Sequence, residues 1–187
     1  MRYYKKLLGE NIYLSPICEE DIETFTKWLN DFDVTDYIGR SDALFTLLGE
    51  KEWIASVISE KKYMFSIIKN EGDKLIGNIE LSDIKHVDRT ATLGIMIGEN
   101  DERSKGYGLE AINLLLDFAF NYLNMNSINL TVLEVNERAK RCYQKVGFKT
   151  FGIQRNNKYI NGKYYNTVHM DILKDEFKGS YIKNKNI

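Results

Sequence analysis

The 187-residue chain has one proline, two cysteines and two histidines. A lone Pro16 beside 13 glycines excludes collagen-like and proline-rich disordered classes. Cys18 and Cys142 are too few for a disulfide framework or a cysteine-based zinc cage. His86 and His169 stand far apart in the sequence, so no metal site is expected. An excess of one charge is also missing. Lys and Arg together number 26 against 27 Asp and Glu, a formal net charge of -1. No bulk field therefore draws nucleic acid or an anionic membrane. No run of about eighteen apolar residues is present to span a bilayer. Arg2, Lys5 and Lys6 are followed only by Leu7-Leu8, too short for the apolar core of an export signal. The expectation is a soluble protein of the reducing cytoplasm, with no metal, nucleic-acid or membrane partner.

What is present is a 43% hydrophobic composition, enough for one core-bearing domain. No internal repeat or low-complexity linker divides it. Residues 1–174 therefore read as a single domain and 175–187 as a polar tail that frays. Residues 11–15 alternate as a strand that Pro16 ends. Glu19-Glu20-Asp21 place acids in the first turn of a helix carrying Ile22, Phe25 and Leu29. Residues 30–39 read as an acidic loop, and 48–59 as a second helix that buries Trp53, Val57 and Ile58. Strands are expected at 63–69, 74–81 and 89–98. Ile112, Leu115, Leu116, Ala119 and Leu123 recur at helical spacing and predict a helix over 107–123. A strand at 127–133 follows. Asn136 fits the N-cap of a helix bearing Ala139, Cys142, Tyr143 and Val146, and Gly147 fits its left-handed end. Strands at 149–155 and 163–173 flank Asn161-Gly162, a tight-hairpin signal. The order implies a mixed α/β domain, with antiparallel strands ahead of one βαβ unit.

Three features carry chemistry. In the strand at 89–98, Ala91, Leu93, Ile95 and Ile97 form one face. Thr92, Gly94, Met96 and Gly98 form the other, which is mostly small. Glycine inside a strand marks a close approach by backbone or ligand, or tight packing under a helix. Next, Arg103-Ser104-Lys105-Gly106-Tyr107-Gly108 enters the strongest helix. Such a loop exposes backbone amides that bind phosphate, or it is an ordinary turn. It lacks the Gly-Lys-Ser/Thr of a magnesium-binding P-loop. Third, Tyr143 lies in mid-helix, either as a core ring or as a general acid. A phenol of pKa about 10 can donate to a departing thiolate of pKa about 8.5.

Together these features resemble the GCN5-related N-acetyltransferase (GNAT) superfamily. Arg103 to Gly108 matches its phosphate loop, Arg/Gln-x-x-Gly-x-Gly/Ala. Gly106-Tyr107-Gly108-Leu109-Glu110-Ala111 is typical of the branch of ribosomal-protein N-terminal and bacterial spermidine/spermine acetyltransferases. Asn136, Tyr143 and Gly147-Phe148 supply the later signature. Tyr159-Ile160-Asn161-Gly162-Lys163-Tyr164 echoes the branch's terminal hairpin. The resemblance covers roughly residues 10 to 174.

The resemblance implies a central mixed sheet whose parallel strands, 89–98 and 127–133, splay apart between flanking helices. It implies acetyl-CoA as co-substrate and direct transfer of acetyl to a primary amine. Ile95, Met96 and Ile97 would meet the pantetheine arm, with an amide near Met96 for the oxyanion. Arg103, Ser104, Lys105, Gly106, Tyr107 and Gly108 would hold the diphosphate. Asn136 would bond the pantetheine, and Tyr143 would protonate the leaving sulfur. Relatives carry a glutamate base where this chain has Thr92, so Glu80 and Glu134 are the substitutes. Asp31, Asp33 and Asp36, with Glu50 and Glu52, either attract a cationic acceptor or form a solvated surface. Ile84-Lys85-His86-Val87-Asp88-Arg89 favours a polyamine such as spermidine. A protein N-terminus, an aminoglycoside and an amino sugar are the alternatives. A non-catalytic acyl-CoA-binding protein is the reading from another class. His86 is expected to order a turn and His169 to be structural. A homodimer or larger homo-oligomer is expected.

Overall fold

The computed structural model describes residues 2–183, and its frame is an eight-stranded mixed sheet. The strands are β1 (Leu7–Leu8), β2 (Ile12–Pro16), β3 (Tyr63–Lys69), β4 (Leu75–Lys85), β5 (Thr90–Ile97), β6 (Ser127–Leu133), β7 (Lys149–Ile160) and β8 (Lys163–Leu173). They lie in the order β1-β2-β3-β4-β5-β6-β8-β7. Among the described residues β5 and β6 form the parallel pair, and the others are antiparallel. The helices are α1 (Ile22–Leu29), α2 (Phe32–Ile38), α3 (Leu47–Ser59), α4 (Tyr107–Asn121) and α5 (Glu137–Val146). α4 makes the crossover that a parallel pair requires.

Alternation along the strands separates two cores. On one face α4 buries Ile112, Leu115 and Leu116 against Phe65, Ile79, Leu93 and Ile128. Met64, beside Phe65 in sequence, joins the other core, with Phe25 and Trp28 of α1 and Ile54 and Val57 of α3. The helices of this second core form one wall of the cleft described below.

Several expectations need correction. The acidic loop at 30–39 contains a helix, α2. Asp31 caps it by accepting from the Asp33 amide, Val34 and Thr35 are buried, and Gly39 ends it at φ 68°. Its seven residues are too few to show a period. In α3, Trp53 and Ile58 are 38% and 44% exposed. The buried face is instead Glu50, Ile54 and Val57, at i, i+4 and i+7. β7 runs on to Ile160 past a bulge. Asn156, at φ 46°, donates its amide to Asn166 Oδ1 at 2.8 Å there. Polar residues on an edge strand hide this extension from a hydrophobic pattern. The Asn161-Gly162 turn has both residues at positive φ, 46° and 79°, as a tight hairpin demands.

The tail does not fray through Lys183. Phe177 packs on Phe120 with ring centroids 5.4 Å apart, and Ile182 is buried. The amides of Tyr181 and Ile182 donate to Asp117 Oδ2 at 2.6 and 3.0 Å. Asp117 is a fully buried carboxylate in α4, and such a group requires donors. The remainder of the expected tail, 184–187, lies outside the described residues.

Candidate active site

The two parallel strands part. β5 and β6 pair at Thr90↔Ser127, Ala91↔Ile128 and Thr92↔Asn129, and no further along their length. A clasp sits at the fork. Thr92 Oγ1 donates to Asn129 Oδ1 and Asn129 Nδ2 donates to the Ala91 carbonyl, both at 3.1 Å. Beyond it, Leu93 to Ile97 of β5 and Thr131 to Leu133 of β6 face each other across a cleft of about 910 Å³. The strand edges that would have closed this ladder are available to a ligand's amides.

The loop at 103–106 opens into the same cleft. Ser104 and Gly106 have φ 64° and 92°, and Gly106 caps α4 with no side-chain hydrogen bond. A Cβ at Gly106 would meet nothing within 4 Å, so the space beside it is open. Glu110, in the first turn of α4, is held elsewhere. Its carboxylate accepts from the amides of Asn11 and Ile12 at 2.9 and 3.3 Å. The start of α4 is thus an uncapped helix N-terminus facing a cavity, which suits an anion.

The side chains of this loop do not all follow expectation. Arg103, Ser104, Gly106 and Gly108 line the cleft, whereas Lys105 and Tyr107 do not. Lys105 Nζ donates to Glu102 Oε2 at 3.1 Å, and Lys69 Nζ lies over the Tyr107 ring at 5.6 Å. Burial pushes the Glu102 carboxyl up, but bonds from Lys105, Lys74 and Lys69 outweigh it and hold it down to about 2. Arg103 is occupied as a brace. Nε donates to the Ile97 carbonyl at 3.0 Å and Nη1 to the Asp33 carbonyl at 3.1 Å, tying the loop to β5 and α2.

Asn136 and Tyr143 both line the cleft. Asn136 Oδ1 caps α5 by accepting from the Ala139 amide at 3.1 Å, and its Nδ2 makes a long 3.5 Å contact to the Tyr37 carbonyl. That weak bond leaves the amide free to exchange for a ligand carbonyl. The Tyr143 ring is buried edge-on to Phe148, with centroids 5.9 Å apart. Its hydroxyl has no hydrogen-bond partner among the described residues. Burial, and then Cys142, push the phenol above its ordinary pKa, so it stays protonated.

Of the expected carboxylates, Glu80 lies against the forked strand. Glu80 pairs across β4 and β5 with Gly94. A Cβ at Gly94 would come within 3.1 Å of Glu80 Oε1. Gly94 therefore makes room for a carboxylate lying over the forked strand, whereas Gly98, on the same face, makes room for the Trp28 ring. Burial pushes the Glu80 carboxyl up, Asp83 adds to this, and Arg40 and Lys62 oppose it. Thr92 is tied into the clasp. Glu134 is occupied too, accepting from Asn166 N and Nδ2 at 2.8 and 2.9 Å, and it does not line the cleft. Asp33 stands at the mouth, and Asp36 is off the lining. Sequence patterning alone missed the apolar lining given by Phe25, Leu29, Trp53 and Met64, together with Arg40. These residues come from separate elements, and no spacing links them.

A family model described as Acetyltransferase (GNAT) domain matches residues 11–149. The chain belongs to this family. Spermidine N(1)-acetyltransferase of Escherichia coli K12 is 33% identical over 119 residues, which cover 64% of this chain and 61% of that protein. The match thus spans about three fifths of that relative's length. Probable N-acetyltransferase YjcK of Bacillus subtilis is 30% identical over 165 residues, covering 83% of this chain and 90% of that protein. Among solved structures, spermidine N-acetyltransferase from Vibrio cholerae in complex with CoA and spermine aligns with a TM-score of 0.82 at 25% identity. That alignment covers 89% of this chain and 97% of that one. A structure described as dodecameric, of spermidine N-acetyltransferase from the same organism, aligns at TM-score 0.75 and 25% identity, covering 88% and 95%. The mixed sheet with its parting parallel strands is therefore the GNAT fold. Among the described residues of this GNAT domain no three His, Cys, Asp or Glu come together as metal ligands, and no helix is long and apolar enough to cross a membrane.

Proposed function

We propose that the protein is an N-acetyltransferase that moves acetyl from acetyl-CoA to a primary amine of an aliphatic polyamine such as spermidine. The observation that carries this reading is the fork itself. An open strand edge, an uncapped helix N-terminus and a buried phenol line one cleft with a carboxylate lying over the strand. The spermidine acetyltransferases among the relatives support the choice of acceptor.

Acetyl-CoA supplies an activated thioester, so little covalent help is needed from the protein. The unpaired edge at Ile95, Met96 and Ile97 would hold the pantetheine, with Asn136 on the opposite side. The first amides of α4, at Gly106 to Gly108, fit the diphosphate, aided by the helix dipole. A backbone N–H near Met96 would take the charge that develops on the carbonyl oxygen. Glu80 would accept the proton that the attacking ammonium must lose, directly or through water. Burial pushes its carboxyl up, which makes it a stronger base than an exposed glutamate. Tyr143 would hold a proton at Oη for the departing sulfur. Fixing amine and carbonyl at attack distance accounts for most of the acceleration.

The test is free thiol release from acetyl-CoA with spermidine, spermine, a peptide with a free N-terminus and an aminoglycoside, with products weighed by mass spectrometry. The expected product is acetylspermidine. Acetylation of the peptide or the aminoglycoside alone would overturn the acceptor. No release with any amine would overturn the reaction and leave an acyl-CoA-binding protein.

The same reading includes a homo-oligomer, as in the dodecameric relative. Phe151, Ile153, Tyr159 and Tyr164 are exposed along the β7–β8 arm, a concentration of apolar surface that suits contact with a second copy.

A further inference from the structure

Several residues that line the cleft carry a buried oxygen with no donor. Glu50, in the first turn of α3, is only 6% exposed, and its Oε2 is buried with no hydrogen-bond partner. Asn78 Oδ1 on β4 is in the same condition. Asn78 precedes Glu80 by two residues, so both project from one face of the strand. All three line the cleft. A buried oxygen left unpaired is destabilising, and more so when charged. Such a deficit persists where a ligand makes it good.

Arg40 contributes positive charge here, but it does not close the gap. It is exposed, with its guanidinium 5.1 Å over the Phe45 ring, although its field reaches both Glu50 and Glu80. The missing partner is therefore rich in donors and cationic. An ammonium has three donors and no acceptor. The apolar lining given by Phe25, Trp53 and Met64 suits methylenes and, at the indole, a cation over a ring. A carboxylate-bearing acceptor would meet Glu50 with like charge.

Resting on the amine-acetyltransferase reading, we propose that Glu50 and Asn78 form a second ammonium subsite. It holds the non-reacting cationic nitrogen of a di- or polyamine while Glu80 faces the nitrogen that is acetylated. Glu50 is then a specificity residue, and the acceptor needs at least two amines.

Titration calorimetry of the CoA-loaded protein, with spermidine beside n-heptylamine, tests this. Wild type is expected to bind spermidine at least about tenfold more tightly, and Glu50→Gln to erase about tenfold of that preference. The isosteric change keeps the size and shape of the side chain, so the fold should tolerate it, and Asn78→Ala gives an independent reading of the same ratio. Equal affinity for the two amines in wild type, or an intact preference in Glu50→Gln, would overturn the subsite. Absence of thiol release with every amine, while the binding preference stands, would overturn the reaction alone.

Discussion

Tyr143 combines a ring packed in the core with a hydroxyl at the cleft. If the hydroxyl is the acid, Tyr143→Phe keeps the packing and removes only the proton. Turnover should fall by about 10²-fold with acetyl-CoA binding unchanged, as steady-state kinetics beside calorimetry would show. Glu80 makes a prediction about pH. Its carboxyl is raised by burial, so kcat/KM should fall with acidity through a value above the ordinary glutamate range, and Glu80→Gln should abolish that limb. Stability has the opposite sense. A raised carboxyl pKa means that the folded state binds the proton more tightly than the unfolded chain. Stability from this group is therefore greatest in acid and declines as pH rises through the folded value. Melting scans should find Glu80→Gln more stable than wild type at neutral pH, with the gain shrinking in acid. Single residues were only partly legible. Tyr143 and Asn136 stand in a motif, but the turning away of Lys105 depends on Glu102, which Lys69 and Lys74 reach from other parts of the chain.

Elements create what residues cannot. The start of α4 faces the cleft because Gly106 adopts φ 92° and because Glu110 is drawn off to the Asn11 and Ile12 amides. Gly106→Val would strain that turn and fill the open space beside it. Affinity for acetyl-CoA should drop about tenfold or more by calorimetry, and wild-type affinity would contradict the assignment. At the other end of α4, Asp117 binds residues 181–182 to the helix. Asp117→Ala should lower stability by about 1–3 kcal/mol in urea unfolding, with more rapid proteolysis after Phe177. The long elements were legible because α4 and the strands repeat over enough residues. α2 was not, since it has two turns and its cap and terminal glycine also fit a loop. Nor was the docked tail, because its anchor is a carboxylate inside a distant helix.

At the scale of the whole molecule, the order of antiparallel strands followed by a single crossover was readable, and it places the parallel pair at the centre of the sheet. Where that pair separates was readable only through the motif loops beside it. Hydrophobic pattern alone cannot tell a closed ladder from a fork. The wall of the cleft that we assign to the acceptor is assembled from α1, α2, α3 and β4, and its residues come together only in three dimensions. The proposed transfer depends on the open edge of β5. Amide hydrogen exchange with and without acetyl-CoA tests it most directly. Protection should rise over residues 93–97 and 104–109 and stay unchanged along the β2–β3 ladder. Exchange at 93–97 that is indifferent to acetyl-CoA would contradict it.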